Sequence, residues 1–509
     1  MPAQLLEIDG SSLTLAKLHQ VAYQEAKVSI APQALQKVTQ GHQALQQLVN
    51  KGMVIYGVNT GVGELASKAI DEKSRAELQK RILRSHCAGV GATASQQHIR
   101  GAMLLRANCL LQGYSGVSPQ IPQLLVDMLN AQIYPLVPEQ GSLGASGDLA
   151  PLAHIALALI GEGEVVFQGR LRPASDALGE VGLSPIILGY KDSLALINGS
   201  QFFTALGALE VFRAKKLLRL AIISSALTVE ALRSLLAPFQ PQVHELRPFI
   251  GQKQVAEEIL RLTAGSKILS DSVKKVQDAY SIRCLPQVLG PVYDALDFAT
   301  KQLEIEMNSV VDNPIFFPEQ ESFVTAGNFH GQPIAIILDY SAIALCSVGN
   351  LLERHINRLL NEHLSAGLPP FLAEKSGLNS GFMLAQYSAA ALTSENKTLC
   401  SPASVDTIPV SADQEDHVSM GPTAAFKLRR LLDNLENIVA ISLLCSAQAV
   451  DFRGKEKLGK GTATALELIR RVVPHWEEDR VLSTDIEAVR RLVASGELLA
   501  GVEEAVGWR

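Results

Sequence analysis

The chain has 509 residues, more than a single hydrophobic core ordinarily supports, so length alone predicts about two to four domains. Apolar residues make up 47% and charged residues 19%, a core-rich globular composition, and a 5% aromatic share with abundant Ala and Leu favours helices packed on helices. A net charge of −6 without any basic cluster argues against a nucleic-acid partner.

The first segment, MPAQLLEIDG, has no basic stretch ahead of an apolar run, so no secretory signal is expected. The six cysteines are scattered and form no CxxC pair, which points to reduced thiols and a cytoplasmic location. Residues 1–200 mix helices with glycine loops: YGVNTGVG from Tyr56, RSHCAGVGA from Arg84, GSLGASGD from Gly141 and GEGEVVFQGRLRP from Gly161. The last reads as a short hairpin.

From Gln201 the pattern becomes long and helical, over 201–236, 334–364 and 423–450. In the third stretch Leu428, Leu431, Leu432, Leu435, Ile438 and Val439 fall at helical spacing, with Arg429, Arg430, Asp433 and Glu436 on the other face. Helices of about 30 residues would each span roughly 45 Å. The expected fold is therefore mainly α: a mixed, loop-rich N-terminal part (1–200), a central bundle of long helices (201–450) and a C-terminal helical cap (451–509). Apolar faces on such helices suit contacts between subunits. The apolar stretch 334–352 is interrupted by Asp339, Ser341, Ser347 and Asn350 and reads as a core helix, with no membrane partner. The polar loops VQDAYSIRCLPQ, TAGNFHGQP and SADQEDHVSM carry the functional groups.

Several familiar motifs fail. GKEKLGKGT, from Gly454, has Gly461 where a phosphate-binding loop needs Ser or Thr, and it follows a helix rather than a strand. GASGD has Asp148 where a nucleophile elbow needs its second glycine. His355 and His363, eight residues apart on one helical pattern, make a poor metal pair and read as surface or capping histidines. No metal site is expected.

The turn before the apolar helix at Leu149 admits three readings: a helix cap, an anion-binding turn, or backbone chemistry. Ser146 or Asp148 could cap the helix. A cap does not account for Gly144, Ala145 and Gly147 around them. A backbone amide can attack a carbonyl two residues back only where side chains are tiny and backbone angles unusual. Ala145-Ser146-Gly147 meets that need: the Gly147 nitrogen could close on the Ala145 carbonyl, and loss of two waters would leave a ring with an exocyclic methylene.

GSLGASGDLAPLAH resembles the signature of the ammonia-lyases and aminomutases that carry a 4-methylidene-imidazol-5-one group (MIO). YGVNTGVG, RSHCAGVGA, LALINGSQ, VQDAYSIRCLPQ, NSVVDNP, GNFHGQP, LPPFL, NSGFM, SENK and QEDHVSM resemble that family too, in its order and over essentially the whole chain. The resemblance implies a mostly helical fold of the fumarase/aspartase type. It also implies a homotetramer whose active sites each draw on three subunits, and an MIO group made from Ala145, Ser146 and Gly147 with no external cofactor. The electrophilic methylene would take the amine of a small amino acid and a base would remove the β-proton. Gly144 and Asp148 would support ring closure. Arg283 would bind the substrate carboxylate, Asn198 and Gln277 would bond the MIO oxygen or the substrate, Phe329 would pack beside the ring and His86 would orient it. Tyr56, Tyr280 and Glu415 are the candidate bases.

Within the family, Gln414-Glu415-Asp416 stands where enzymes for phenylalanine and tyrosine usually carry a glutamine in the middle. A carboxylate can accept from an imidazole N–H, whereas a phenyl ring would leave it desolvated and unpaired. Together with Ser85-His86 this implies deamination of L-histidine to trans-urocanate and ammonia, the alternative being a tyrosine or phenylalanine lyase or an aminomutase. Val62 departs from the aromatic or larger residue of many relatives, in a loop expected to cover the site.

Overall fold

The computed structural model describes residues 5–63, 67–68, 70–270 and 275–508. Twenty α-helices account for most of the described residues, and the strands pair only into small sheets of two or three. The segment from Gly161 forms the antiparallel hairpin Glu164–Phe167 with Arg170–Pro173, joined by the two-residue turn Gln168-Gly169 with φ positive at both positions.

The helical stretches come out as Gln201–Ala231, Gln332–Leu360 and Gly421–Asp451, and a fourth long helix runs Leu285–Met307. The chain groups into two compact units; four of the five chain boundaries between them fall inside these helices and the fifth falls after Leu399. One comprises Met1–Phe212, Ala299–Asp339 and Pro402–Phe426; the other comprises Arg213–Phe298, Tyr340–Ser401 and Lys427–Arg509.

In the second unit, Leu428, Leu431, Leu432, Leu435, Ile438 and Val439 are all fully buried. Small residues let its helices approach closely: the hydroxyls of Ser224 and Ser442 meet at 2.7 Å in the core. Glu436, expected on the solvated face, is buried instead, because it takes Arg213 at 2.9 Å and Arg490 at 2.7 Å. His355 is likewise buried rather than at a surface or cap, with Nε2 2.7 Å from the Ser281 carbonyl. Burial pushes its imidazolium down to about 4, so the ring is neutral. His363 lies beyond the end of that helix. Gln332–Leu360 is apolar and long enough to cross a membrane, yet 67% of its most apolar window is buried within the protein.

In the first unit, the apolar helix Gln96–Leu110 is buried along nearly its whole length and packs on Leu15–Gln24 and Gln120–Asn130. The helix Leu149–Leu159 packs against Arg75–His86 and Asp192–Ile197. An ion pair is enclosed here: Lys191 Nζ lies 2.5 Å from Asp312 Oδ2, both side chains wholly buried. Burial depresses the lysine and Asp312 opposes that shift. Such a pair adds little against an apolar substitute, but breaking it strands one charge. Asp312→Asn should therefore cost about 3–5 kcal/mol in urea unfolding. The double variant Lys191→Met/Asp312→Leu should recover most of that loss, which the same titration measures.

Candidate active site

The stretch from Gly141 folds into a turn that ends at the helix Leu149–Leu159, and its backbone is unusual. Gly144 has φ 69°, Ser146 φ 51° and Gly147 φ 74°. A left-handed serine is uncommon and is held only where its surroundings impose it. What imposes it is Gly199. The two glycines pair as neighbouring backbones, and Asp148 N donates to Gly199 O at 2.7 Å. A Cβ on Gly147 would lie 2.2 Å from that same oxygen, so no other residue fits there.

The capping reading fails. Asp148 occupies the position before the helix, but its side chain makes no cap bond. It is buried and accepts from Ser142 Oγ at 2.8 Å and from Phe203 N at 2.9 Å. Burial pushes its acid up to about 7, against the hydrogen bonds that oppose the shift. Ser146 caps nothing either: its hydroxyl donates to Glu415 Oε1 at 2.9 Å.

Glu415 reaches the turn because the segment 402–420 is tied to it. Met420 N donates to Leu143 O at 2.9 Å and Ser419 Oγ to Gly144 O at 3.0 Å. Beneath them Ala145, Val418 and Met420 form a small apolar cluster. Glu415 itself is half-buried and pairs through its backbone with Val410. The loop at 329–331 joins from another side, with Gly331 N donating to Gly144 O at 3.2 Å. Phe329 is half-buried there, two residues before that contact.

Tyr56 is half-buried, and its hydroxyl accepts from Gly63 N at 2.8 Å, which closes the YGVNTGVG loop on itself. Val62 packs on Gly57 inside this loop, and Gly63 faces the Ser411 hydroxyl, four residues before Glu415. Asn198 precedes Gly199, is 4% exposed, and its Oδ1 has no partner among the described residues. His86 ends the helix Arg75–His86, with Nδ1 2.7 Å from the Ile82 carbonyl. A carbonyl only accepts, so Nδ1 donates there, and the neutral tautomer this fixes leaves Nε2 as an acceptor.

Gln277, Tyr280 and Arg283 belong to the second unit. Tyr280 opens a short helix, is 73% exposed, and lies with the Arg283 guanidinium 4.8 Å from its ring centre. Gln277 is exposed two residues after Lys275.

Sequence reading passed over Ser142, Ser419, His330 and Arg106. Ser142 sits in the motif itself, and its hydroxyl also accepts from Gly144 N at 3.1 Å. His330 ties Nε2 to the His417 carbonyl at 3.0 Å, two residues past Glu415. Arg106 was visible as a lone charge in the apolar run GAMLLRANCL.

A mainly helical frame thus brings several loops together on the Ala-Ser-Gly turn, left-handed at Ser146 and Gly147. The sequence profile of aromatic amino acid lyases matches residues 13–471, and the chain belongs to that family. It is 48% identical to a histidine ammonia-lyase of Gloeobacter violaceus over 99% of this chain and 98% of that protein. Among solved structures it is similar to histidine ammonia-lyase from Trypanosoma cruzi, with 40% identity, TM-score 0.92, and 99% of this chain and 96% of that one covered. It is also similar to tyrosine aminomutase from Streptomyces globisporus, with 40% identity, TM-score 0.94, and 98% of each chain covered.

Asp148 gives a pH signature. Its acid is raised in the fold from 3.8 to about 7, so the native state holds a proton that the unfolded chain releases. That contribution is complete below about pH 4 and is lost as pH rises through about 7, at most about 4 kcal/mol. Asp148→Asn mimics the protonated acid. The stability difference between wild type and this variant should therefore move against wild type between pH 4 and 8, as read by parallel urea titrations.

Proposed function

We propose that the chain deaminates L-histidine to trans-urocanate and ammonia, using an MIO group formed from Ala145, Ser146 and Gly147. The residues fit that group. Left-handed angles at Ser146 and Gly147 curl the dipeptide back, Gly199 leaves no room for a side chain, and Asn198 keeps hydrogen-bonding capacity beside it. Once formed, the group supplies an electrophilic methylene able to take up an amine.

The observation that carries the specificity is the 2.9 Å contact between Ser146 Oγ and Glu415 Oε1. It puts a carboxylate at the reacting turn, where an imidazole N–H satisfies it and a phenyl ring does not. His86 Nε2 offers a second acceptor to orient that ring. The fold itself is neutral between histidine and tyrosine, which is why a single carboxylate decides between them. The Arg283 guanidinium matches the substrate carboxylate with two parallel hydrogen bonds. Phe329 packs beside the imidazole, and Asn198 and Gln277 hold polar atoms of the substrate or of the group. The β-proton passes to Tyr56, Tyr280 or Glu415.

Glu415→Gln keeps the shape and removes the charge, and a charge-assisted hydrogen bond contributes about 1.5–3 kcal/mol. Activity toward histidine, followed by urocanate absorbance, should fall roughly ten- to a few hundred-fold in kcat/KM, and further if Glu415 is the base. Tyrosine and phenylalanine turnover should fall far less or rise from near zero, and adding His86→Leu should extend the change. A wild type that prefers tyrosine, or an unaffected Glu415→Gln, replaces this reading with the tyrosine or phenylalanine one.

We further propose a cytoplasmic homotetramer with sites shared among three subunits. On Gln332–Leu360 the exposed Ile336, Tyr340 and Ile343 fall on one helical face, and Phe298 meets Tyr340 edge-on at 6.4 Å. An apolar face of this kind suits a symmetric partner, and exposed Tyr280 then has a site to complete. Light scattering should give four chains per particle, and Tyr340→Glu should lower both that mass and the activity. A fully active monomer contradicts the shared site.

A further inference from the structure

The turn rests on Gly199, and Gly199 rests on an arginine. Arg106, in the helix Gln96–Leu110, is 1% exposed. Its Nη1 donates to Gln201 Oε1 at 2.9 Å and to Val311 O at 3.0 Å, and Nη2 donates to Ala195 O. The first and last of these acceptors bracket Asn198-Gly199-Ser200, and Val311 approaches from a separate segment. A Cβ built on Gly199 would fall 2.4 Å from Nη1 and 2.2 Å from Gln201 Oε1. The guanidinium thus fills the space a side chain at 199 would take. Gly199 is also pressed on Gly147, through the 2.7 Å bond from Asp148 N to its carbonyl.

We propose that Arg106 is a positioning residue for the electrophile-forming turn, fixing Gly199 so that Gly147 N is presented to the Ala145 carbonyl. This rests on the reading of Ala145-Ser146-Gly147 as the source of the MIO group. A buried cation whose hydrogen bonds run to carbonyl and amide oxygens is costly, and an apolar residue would pack the same space without that cost. The fork geometry is what an apolar residue lacks, and what lysine lacks too. One planar guanidinium holds three acceptors in fixed directions, whereas a single ammonium on a flexible stem does not. Ring closure is an intramolecular attack, and such reactions are steeply sensitive to sub-ångström placement.

The test measures maturation directly. Wild type, Ser146→Ala, Arg106→Lys and Gln201→Ala are purified under identical conditions. Intact and peptide mass report the loss of two waters at residues 145–147, and thermal melting and light scattering report the fold. Wild type should show the loss in full and Ser146→Ala none. Arg106→Lys should remain folded and assembled like wild type, while its matured fraction, or its rate of maturation on standing, falls about tenfold or more. Gln201→Ala, which removes one acceptor and leaves two, should fall between. An Arg106→Lys protein that is folded and fully matured at the wild-type rate overturns the proposal. If Arg106→Lys does not fold, Gln201→Ala decides: slowed maturation supports the proposal and an unchanged rate overturns it. A wild type without the two-water loss instead refutes the reading of the turn, a result distinct from either.

Discussion

The backbone contact between Gly147 and Gly199 is the constraint on which the site depends. Two chain segments 52 residues apart in sequence meet with no side chain between them. That closeness forces Ser146 into the left-handed region and turns its hydroxyl away from the helix it precedes. Strain of this sort persists only where the surroundings over-determine it. Here they do so through three contacts: Gly199, the Ser419 hydroxyl with the Met420 backbone, and Gly331. A turn held this way has already lost the conformational entropy that would otherwise oppose the proposed ring closure.

The helices serve that constraint by being rigid and dry. Asp192–Ile197 and the start of Gln201–Ala231 are wholly buried, so Asn198 and Gly199 sit between two fixed ends. Polar groups enclosed there are largely matched: Asp148 has two donors, Arg106 three oxygen acceptors and Lys191 its carboxylate. Arg106 Nε and Asn198 Oδ1 are exceptions among the described residues, and Asn198 stands beside the turn. An unmatched buried group at that place is what a binding function requires, since a group already satisfied has nothing to offer a substrate.

Much of this was legible in the sequence, and the remainder was hidden for physical reasons. Periodicity located the starts of the long helices to within two residues, because apolar residues recurring every 3.6 positions form a stripe that only a buried helix face puts to use. It overran the first helix, reading Leu235 and Leu236 as more of the stripe, where Arg233 in fact turns left-handed after Ala231. It passed over Leu285–Met307, whose first turns contain Pro286, Gly290 and Pro291, residues that ordinarily break a helix. Burial of Glu436 and His355 was not readable either, since it depends on Arg213, Arg490 and the Ser281 carbonyl, all distant in sequence. In the site, the tiny side chains of Ala145, Ser146 and Gly147 were visible as a signal, but composition could not exclude a cap. Only the folded chain shows that Asp148 spends both oxygens on Ser142 and Phe203.

Substrate choice is separable from all of this. The elements that shape the turn are backbone and buried side chains: Gly147, Gly199, Arg106 and Asp148. The group that meets it from the solvent side, Glu415, lies on a half-exposed loop fixed at both ends, by Val410 pairing on one side and Ser419 and Met420 on the other. A side chain on such a loop can change without disturbing the turn, because its backbone bonds do not depend on residue identity. On the proposed reading the electrophile would be common to enzymes of this architecture, while the residue facing it would set which ring is accepted. A carboxylate there would exclude apolar rings by leaving its own charge unmatched, a stronger discrimination than shape alone provides.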